Sequence, residues 1–313
     1  MVKKNVKEKN SVSFIFLVVL FSFLLLLSSC MPFGNQRQTT IEDYRQGVSS
    51  IDISFIRGLP GQELLQDSRF SVGVVLHNKG ASDVLNGRLV LTYDKEYFGF
   101  FSGTSRSFEL LGRSSFLPQG EERSFFFEGE TKSLGTESFT RDFRLTATAC
   151  FEYETVFVGL VCLDRPFTND LERGTAVCRV RDITSSGQGG PVFVSRVEYT
   201  AIENNLGVKP FFDITISHRG SGIVTHPDSY GVMCSSASSQ GLINRIVVKK
   251  ATLSEVELDC NERELQLRSD SVRLRCTTFS EIIPHRLPFE APLKIELGYG
   301  YSLHSHVSTS IIS

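Results

Sequence analysis

The chain has 313 residues, 41 % hydrophobic and 22 % charged, with 33 Lys and Arg set against 35 Asp and Glu for a formal charge of −2. That balance excludes wholesale disorder, a collagen-like repeat and a polytopic membrane protein, and it supplies no net positive field to gather nucleic acid. The unusual counts are 7 Cys, 25 Phe and 25 Gly with no Trp, which is more cysteine than a reducing compartment calls for.

The first residues read as an address and an anchor. Lys3, Lys4, Lys7 and Lys9 stand against Glu8, and no further charge appears until Arg37. The run Phe14 to Leu27 is 14 residues with only Ser22 polar, the length of a signal-peptide apolar region and short of the roughly 20 residues a membrane span needs. It ends in Leu27-Ser28-Ser29-Cys30, which resembles a prokaryotic lipobox and implies lipidation at Cys30. The alternative is an uncleaved N-terminal helix whose lysines stay inside. Either way, residues beyond about 35 are expected outside the cytoplasmic membrane. Removing residues 1–29 takes away four bases and one acid, leaving 29 bases, 34 acids and a charge of −5 over 284 residues.

With Cys30 spent on lipid, an even six cysteines remain: Cys150, Cys162, Cys178, Cys234, Cys260 and Cys276. No two have the spacing of a zinc knuckle, so disulfides are the expectation and no metal or other cofactor is expected. Cys162 with Cys178 and Cys260 with Cys276 are the local pairs, each closing a loop of about 15 residues that is worth roughly 3 kcal/mol in loop-closure entropy. Cys150 and Cys234 then pair with each other, across the two halves, or stay as buried thiols.

Residues 30–48 are polar and unpatterned at first and read as a tether. After them, period-two alternation dominates, as in Ile51/Ile53/Phe55, Val72/Val74/Leu76 and Leu89/Leu91/Tyr93. Turn signals separate these runs at Leu59-Pro60-Gly61, Asn78-Lys79-Gly80, Asn86-Gly87 and Pro118-Gln119-Gly120. Short strands at this spacing predict an all-β antiparallel sandwich. Two segments repeat: Val72–Gly80 matches Phe212–Gly220, and Ala147–Thr155 matches Leu297–Ser305. Tandem modules follow, with domain 1 over 49–182, a Gly/Ser linker over 183–191 and domain 2 over 192–313. Within domain 2, residues 263–276 read as a hairpin with Leu265 opposite Leu274, and Pro292–Tyr301 reads as one long strand with an apolar face.

Leu76-His-Asn-Lys-Gly80, Leu89-Val-Leu-Thr-Tyr93 and the Pro118-Gln-Gly120 turn before Phe125-Phe-Phe127 resemble the CARDB-type immunoglobulin-like modules of prokaryotic surface proteins. Cys150-Phe-Glu-Tyr-Glu-Thr155 with Cys162, Cys178 and Gly187-Gln-Gly-Gly-Pro-Val192 is similar to exported proteins of small-genome archaea. The resemblance covers most of residues 50–300 and implies two immunoglobulin-like sandwiches with adhesive or scaffolding duties. It implies no catalytic residue. The Tyr230–Ser239 stretch departs from the module pattern.

No nucleophile elbow, His-Glu-x-x-His helix, phosphate loop or Ca²⁺ loop is present in the sequence, so no enzyme activity is expected. His304 and His306 would share a strand face, a spacing that can hold a metal, but no acid or Cys lies beside them in sequence; His77 and His218 flank turns. Tyr97-Phe-Gly-Phe-Phe101 and Phe125-Phe-Phe127 place adjacent rings on both faces of a strand. Those rings pack under loops or between modules, or else Phe98, Phe100 and Phe101 form a partner contact. The expectation is an anchored surface protein with a structural, adhesive or protein-binding role toward other surface proteins or envelope components. A solute-binding or assembly-factor lipoprotein with a cleft between the domains is the alternative.

Overall fold

The computed structural model describes residues 43–135, 139–164, 178–235, 242–282 and 288–313. Cys30, the apolar run, most of the tether and His285 lie outside these residues.

Side chains that alternate apolar and polar give a strand one face to bury, and β-branched and aromatic residues fill that face well. The first half accordingly forms β1 (Ile51–Phe55), β2 (Glu63–Leu65), β3 (Arg69–Asn78), β4 (Val84–Thr92), β5 (Phe98–Phe100), β6 (Ser105–Leu110), β7 (Glu122–Thr131) and β8 (Thr140–Leu163). Then come β9 (Ile183–Thr184), β10 (Val192–Asn204), β11 (Gly207–His218), β12 (Ile223–Thr225), β13 (Arg245–Leu253), β14 (Val256–Cys260), β15 (Glu264–Gln266), β16 (Ser271–Thr278) and β17 (Phe289–Ile312). Among the described residues, helix is confined to the 3-10 segments Asp43–Arg45 and Pro227–Cys234. No helix there is long and apolar enough to cross a membrane.

The protein is an all-β sandwich. One sheet has the order β1-β3-β7-β5; the larger runs β6-β4-β8-β17-β13-β14-β16-β11-β10-β9, with β2 and β12 added to β17 and β15 to β13. Thr252 and Leu253 of β13 pair with β14, whose Leu258 to Cys260 pair with β16. A strand that changes partner in this way turns the corner of a sandwich. The fully buried residues include Leu76, Leu89, Phe127 and Phe151 from the first half and Phe212, Ile214, Leu274 and Ile295 from the second, in one continuous core.

The halves meet through their last long strands. β8 and β17, 24 residues each, pair antiparallel from Thr140 with Ile312 to Leu163 with Phe289. The sequence repeat explains the match: Ala147 pairs with Ser305, Phe151 with Tyr301 and Thr155 with Leu297. The two copies of the repeated segment are thus each other's partners, the arrangement a local two-fold axis produces. The other repeat falls on β3 and β11, each an inner strand of its sheet. The turns that follow are also alike: a side chain at Gly80 would collide with the Tyr153 hydroxyl, and one at Gly220 with that of Tyr301.

Three sequence expectations change. The 183–191 segment is not a solvated linker, because Gly187 to Pro191 are buried. Gln188, 9 % exposed, accepts from the Val194 N–H (2.9 Å) and donates to the Val194 carbonyl (3.0 Å), so its amide replaces a strand partner. Asn86-Gly87 is not a turn but a bulge inside β4, where Val84 pairs with Leu110 and Gly87 with Phe108. Residues 263–276 do turn at Arg268–Ser271, which exchange backbone hydrogen bonds of 2.9 and 3.1 Å, but the arms then diverge, β15 pairing with β13 and β16 with β11. Leu265, Leu267 and Leu274 are all buried by this crossing between layers.

Disulfides join Cys162 to Cys178, Cys260 to Cys276 and Cys150 to Cys234. Cys260 and Cys276 are register partners on β14 and β16. Three such bonds fit an oxidising, extracellular environment.

Candidate functional site

The bulge in β4 and the third disulfide together build a groove. An extra residue in one strand bends it and re-aims the neighbouring side chains, and here it leaves Leu85 and Asn86 exposed where β4 pairs with β6. Two residues on, Arg88 pairs in register with Cys150 of β8. Cys150 is bonded to Cys234, the last residue of the Pro227–Cys234 helix. That bond, with a sequence separation of 84, holds a helix from the second half over strands from the first. Pro227 starts the helix with its φ already suited to the first turn, and the His226 ring accepts from the Asp228 N–H at 3.3 Å.

Between this helix and the β4–β6 edge lies an open groove of about 400 Å³, within the size range of small-molecule sites. Residues 85–88 of β4 and 107–109 of β6 line it, with Arg123 of β7 from the other sheet and with Tyr230 and Gly231 of the helix. Arg123 is held by Glu121 at 2.7 Å. The Leu111 N–H donates to Glu121 at 2.9 Å, and that bond, with Arg123, keeps the Glu121 carboxyl below the usual carboxylate range. Arg123 is therefore largely compensated. Among the ion pairs of the described residues none involves Arg88 or Glu109, both of which are exposed. The groove thus offers a guanidinium, a carboxylate, an amide, a hydroxyl and a phenol on a braced frame.

The aromatic run divides between the two alternatives, with most of it packed and one ring open. Phe98 is 1 % exposed and packs edge-on against Phe70 (5.5 Å) and Phe143 (5.0 Å), so it serves the core and does not reach a partner. Phe100 is half-buried, its ring 4.7 Å from that of Tyr93. Phe101 alone of the three is open, at 56 %, with the Arg69 guanidinium 5.6 Å above its ring. Alternation decides this: Phe98 lies inward on β5, and the chain leaves the strand at Phe101.

The histidines are dispersed. His304 and His306 lie exposed on one face of β17, and no group of three potential metal ligands occurs among the described residues. His77 contacts the Gln119 carbonyl at 2.7 Å. His218, its side chain 11 % exposed, lies 3.4 Å from the Tyr301 hydroxyl, and burial lowers its pKa below 6.5 against the opposing pull of Asp270.

Sequence reasoning did not find the groove. Its signals were present, in Asn86-Gly87 read as a turn and in the irregular Tyr230–Ser239 stretch, but only the fold brings residues 86–109 and 230–231 together. No family model and no curated protein matches the chain.

Proposed function

We propose that this is a membrane-anchored extracytoplasmic binding protein, in which a rigid β-sandwich presents the groove between β4–β6 and the Pro227–Cys234 helix to a component of the cell envelope. The observation that carries the reading is the Cys150–Cys234 bond, which ties one wall of a polar groove to the other. Preorganised walls cut the ordering cost of binding. This favours the cleft-binding alternative over a purely structural role. The lipobox-like Leu27-Ser28-Ser29-Cys30 supports the anchor, and the three disulfides support the compartment.

A photo-crosslinking side chain at Ser107, in full chain expressed in its own membrane, tests the groove. Specific crosslinks to envelope material, competed away by Tyr230→Ala in the same chain, are expected; silence at Ser107 overturns the reading. The exposed Phe101 supports a second, adhesive reading. That reading requires Phe101→Ser to abolish attachment while Tyr230→Ala leaves it intact. Metabolic labelling with a fatty acid should tag the wild type and fail with Cys30→Ala; an intact N-terminus in the membrane protein would instead favour the uncleaved helix.

A further inference from the structure

Resting on the groove reading, we propose that the ligand is a sugar unit carrying one carboxylate, the terminal residue of an acidic surface glycan. The groove's chemistry is mixed in a way that discriminates. Arg88 is an exposed cation with no ion pair among the described residues, and a guanidinium grips a carboxylate through two parallel hydrogen bonds. Asn86 and Ser107 both donate and accept, Glu109 only accepts, and Tyr230 adds a ring with a phenol at its tip. Vicinal hydroxyls, each a donor and an acceptor, satisfy such a set, whereas an apolar solute would leave it unpaired.

Charge narrows the class further. Arg123 is compensated by Glu121, so the groove holds one available positive charge beside the negative Glu109. A polyanion such as an acidic peptide would drive successive carboxylates against Glu109, which costs binding. A ligand with one carboxylate and several hydroxyls meets Arg88 with its charge and Glu109 with a hydroxyl. A volume of about 400 Å³ suits one or two sugar rings and not an extended chain.

Calorimetric titration of the full chain in detergent micelles tests this with three probes: a glucuronosyl-glucose disaccharide, the neutral glucosyl-glucose disaccharide and a hexaglutamate peptide. The acidic disaccharide should bind at one site, and the neutral one about tenfold or more weakly, the scale of a charge-assisted hydrogen bond. Arg88→Gln should erase the difference without moving the melting temperature, and Tyr230→Ala should weaken both sugars. Equal affinity for the two disaccharides, or tighter binding of hexaglutamate, overturns the carboxylated-sugar inference and leaves the groove reading standing. No binding by any probe overturns the inference too; the groove reading falls with it only if the Ser107 crosslinks are also absent.

Discussion

At the scale of single residues, three buried tyrosines hold the centre of the molecule. Tyr153 donates to the Gly189 carbonyl at 3.1 Å, Tyr299 shares a 2.8 Å bond with Thr155 and accepts from the Val192 N–H, and Tyr301 accepts from the Gly222 N–H at 3.0 Å. Burial raises the pKa of all three, so their hydroxyls stay neutral. Tyr299→Phe should cost about 1–2 kcal/mol, because it strips a partner from two buried groups, and chemical denaturation measures that loss. Thr225 is the opposite case, a buried hydroxyl with no hydrogen-bond partner among the described residues. Thr225→Val keeps the shape and removes the unmet group, so stability should hold or rise by up to about 1 kcal/mol; a clear loss would mean the hydroxyl has a bound water. His218 gives a pH dependence. Its folded pKa lies below the 6.5 of the free side chain, so the unfolded chain takes up the proton first as pH falls. Its contribution is complete above about pH 6.5 and is lost below that value as pH drops toward the folded pKa. The melting temperature of the wild type should therefore fall more between pH 7.5 and 5 than that of His218→Gln, and identical pH profiles would show that His218 does not titrate this way.

Among the elements, the Ser/Gly segment and the Pro227–Cys234 helix carry the most consequence. Gly187 to Pro191 form a buried insert and not a hinge, because the Gln188 amide pairs with Val194, the Tyr153 hydroxyl bonds the Gly189 carbonyl and the Tyr299 hydroxyl lies against Gly190. Gln188→Ala leaves both Val194 groups unpaired and should cost about 1–3 kcal/mol, whereas a true linker would tolerate it; an unchanged denaturation midpoint would return the segment to linker status. The helix depends on its disulfide. Replacing both Cys150 and Cys234 by Ser removes a closure worth roughly 4.5 kcal/mol by loop entropy and frees Tyr230 from the groove. Both stability and crosslinking from Ser107 should fall together. Loss of stability with crosslinking intact would separate the helix from binding.

For the whole molecule, the β8–β17 pair decides cooperativity. Strands on both sides of residues 183–191 share one sheet, so the halves should unfold in a single transition with equal calorimetric and van't Hoff enthalpies. Two resolved transitions would show that each half carries its own stability. Residues 49–182 expressed alone would present β8 without its partner, a long free edge that invites aggregation.

The alternation in Val72–Leu76 and Leu89–Tyr93 made the all-β class legible, since one buried face imposes a period of two on any sequence. Spacing made two disulfides legible because each closes a short loop. The repeat at Ala147 and Leu297 was also visible, but not that its copies would pair with each other, because strand pairing depends on chain geometry beyond local pattern. Phe98 and Phe101 show the same limit: a run of rings states that some must leave the core, and only packing selects which. The groove is the extreme case, with Arg88 and Tyr230 far apart in sequence and joined through a bond between Cys150 and Cys234. By itself the sequence determined the strand-forming alternation and the cysteine count, both set by local chemistry. Tertiary structure alone decided the shared sheet, the buried glycine segment and the groove, because each requires residues from both halves to meet.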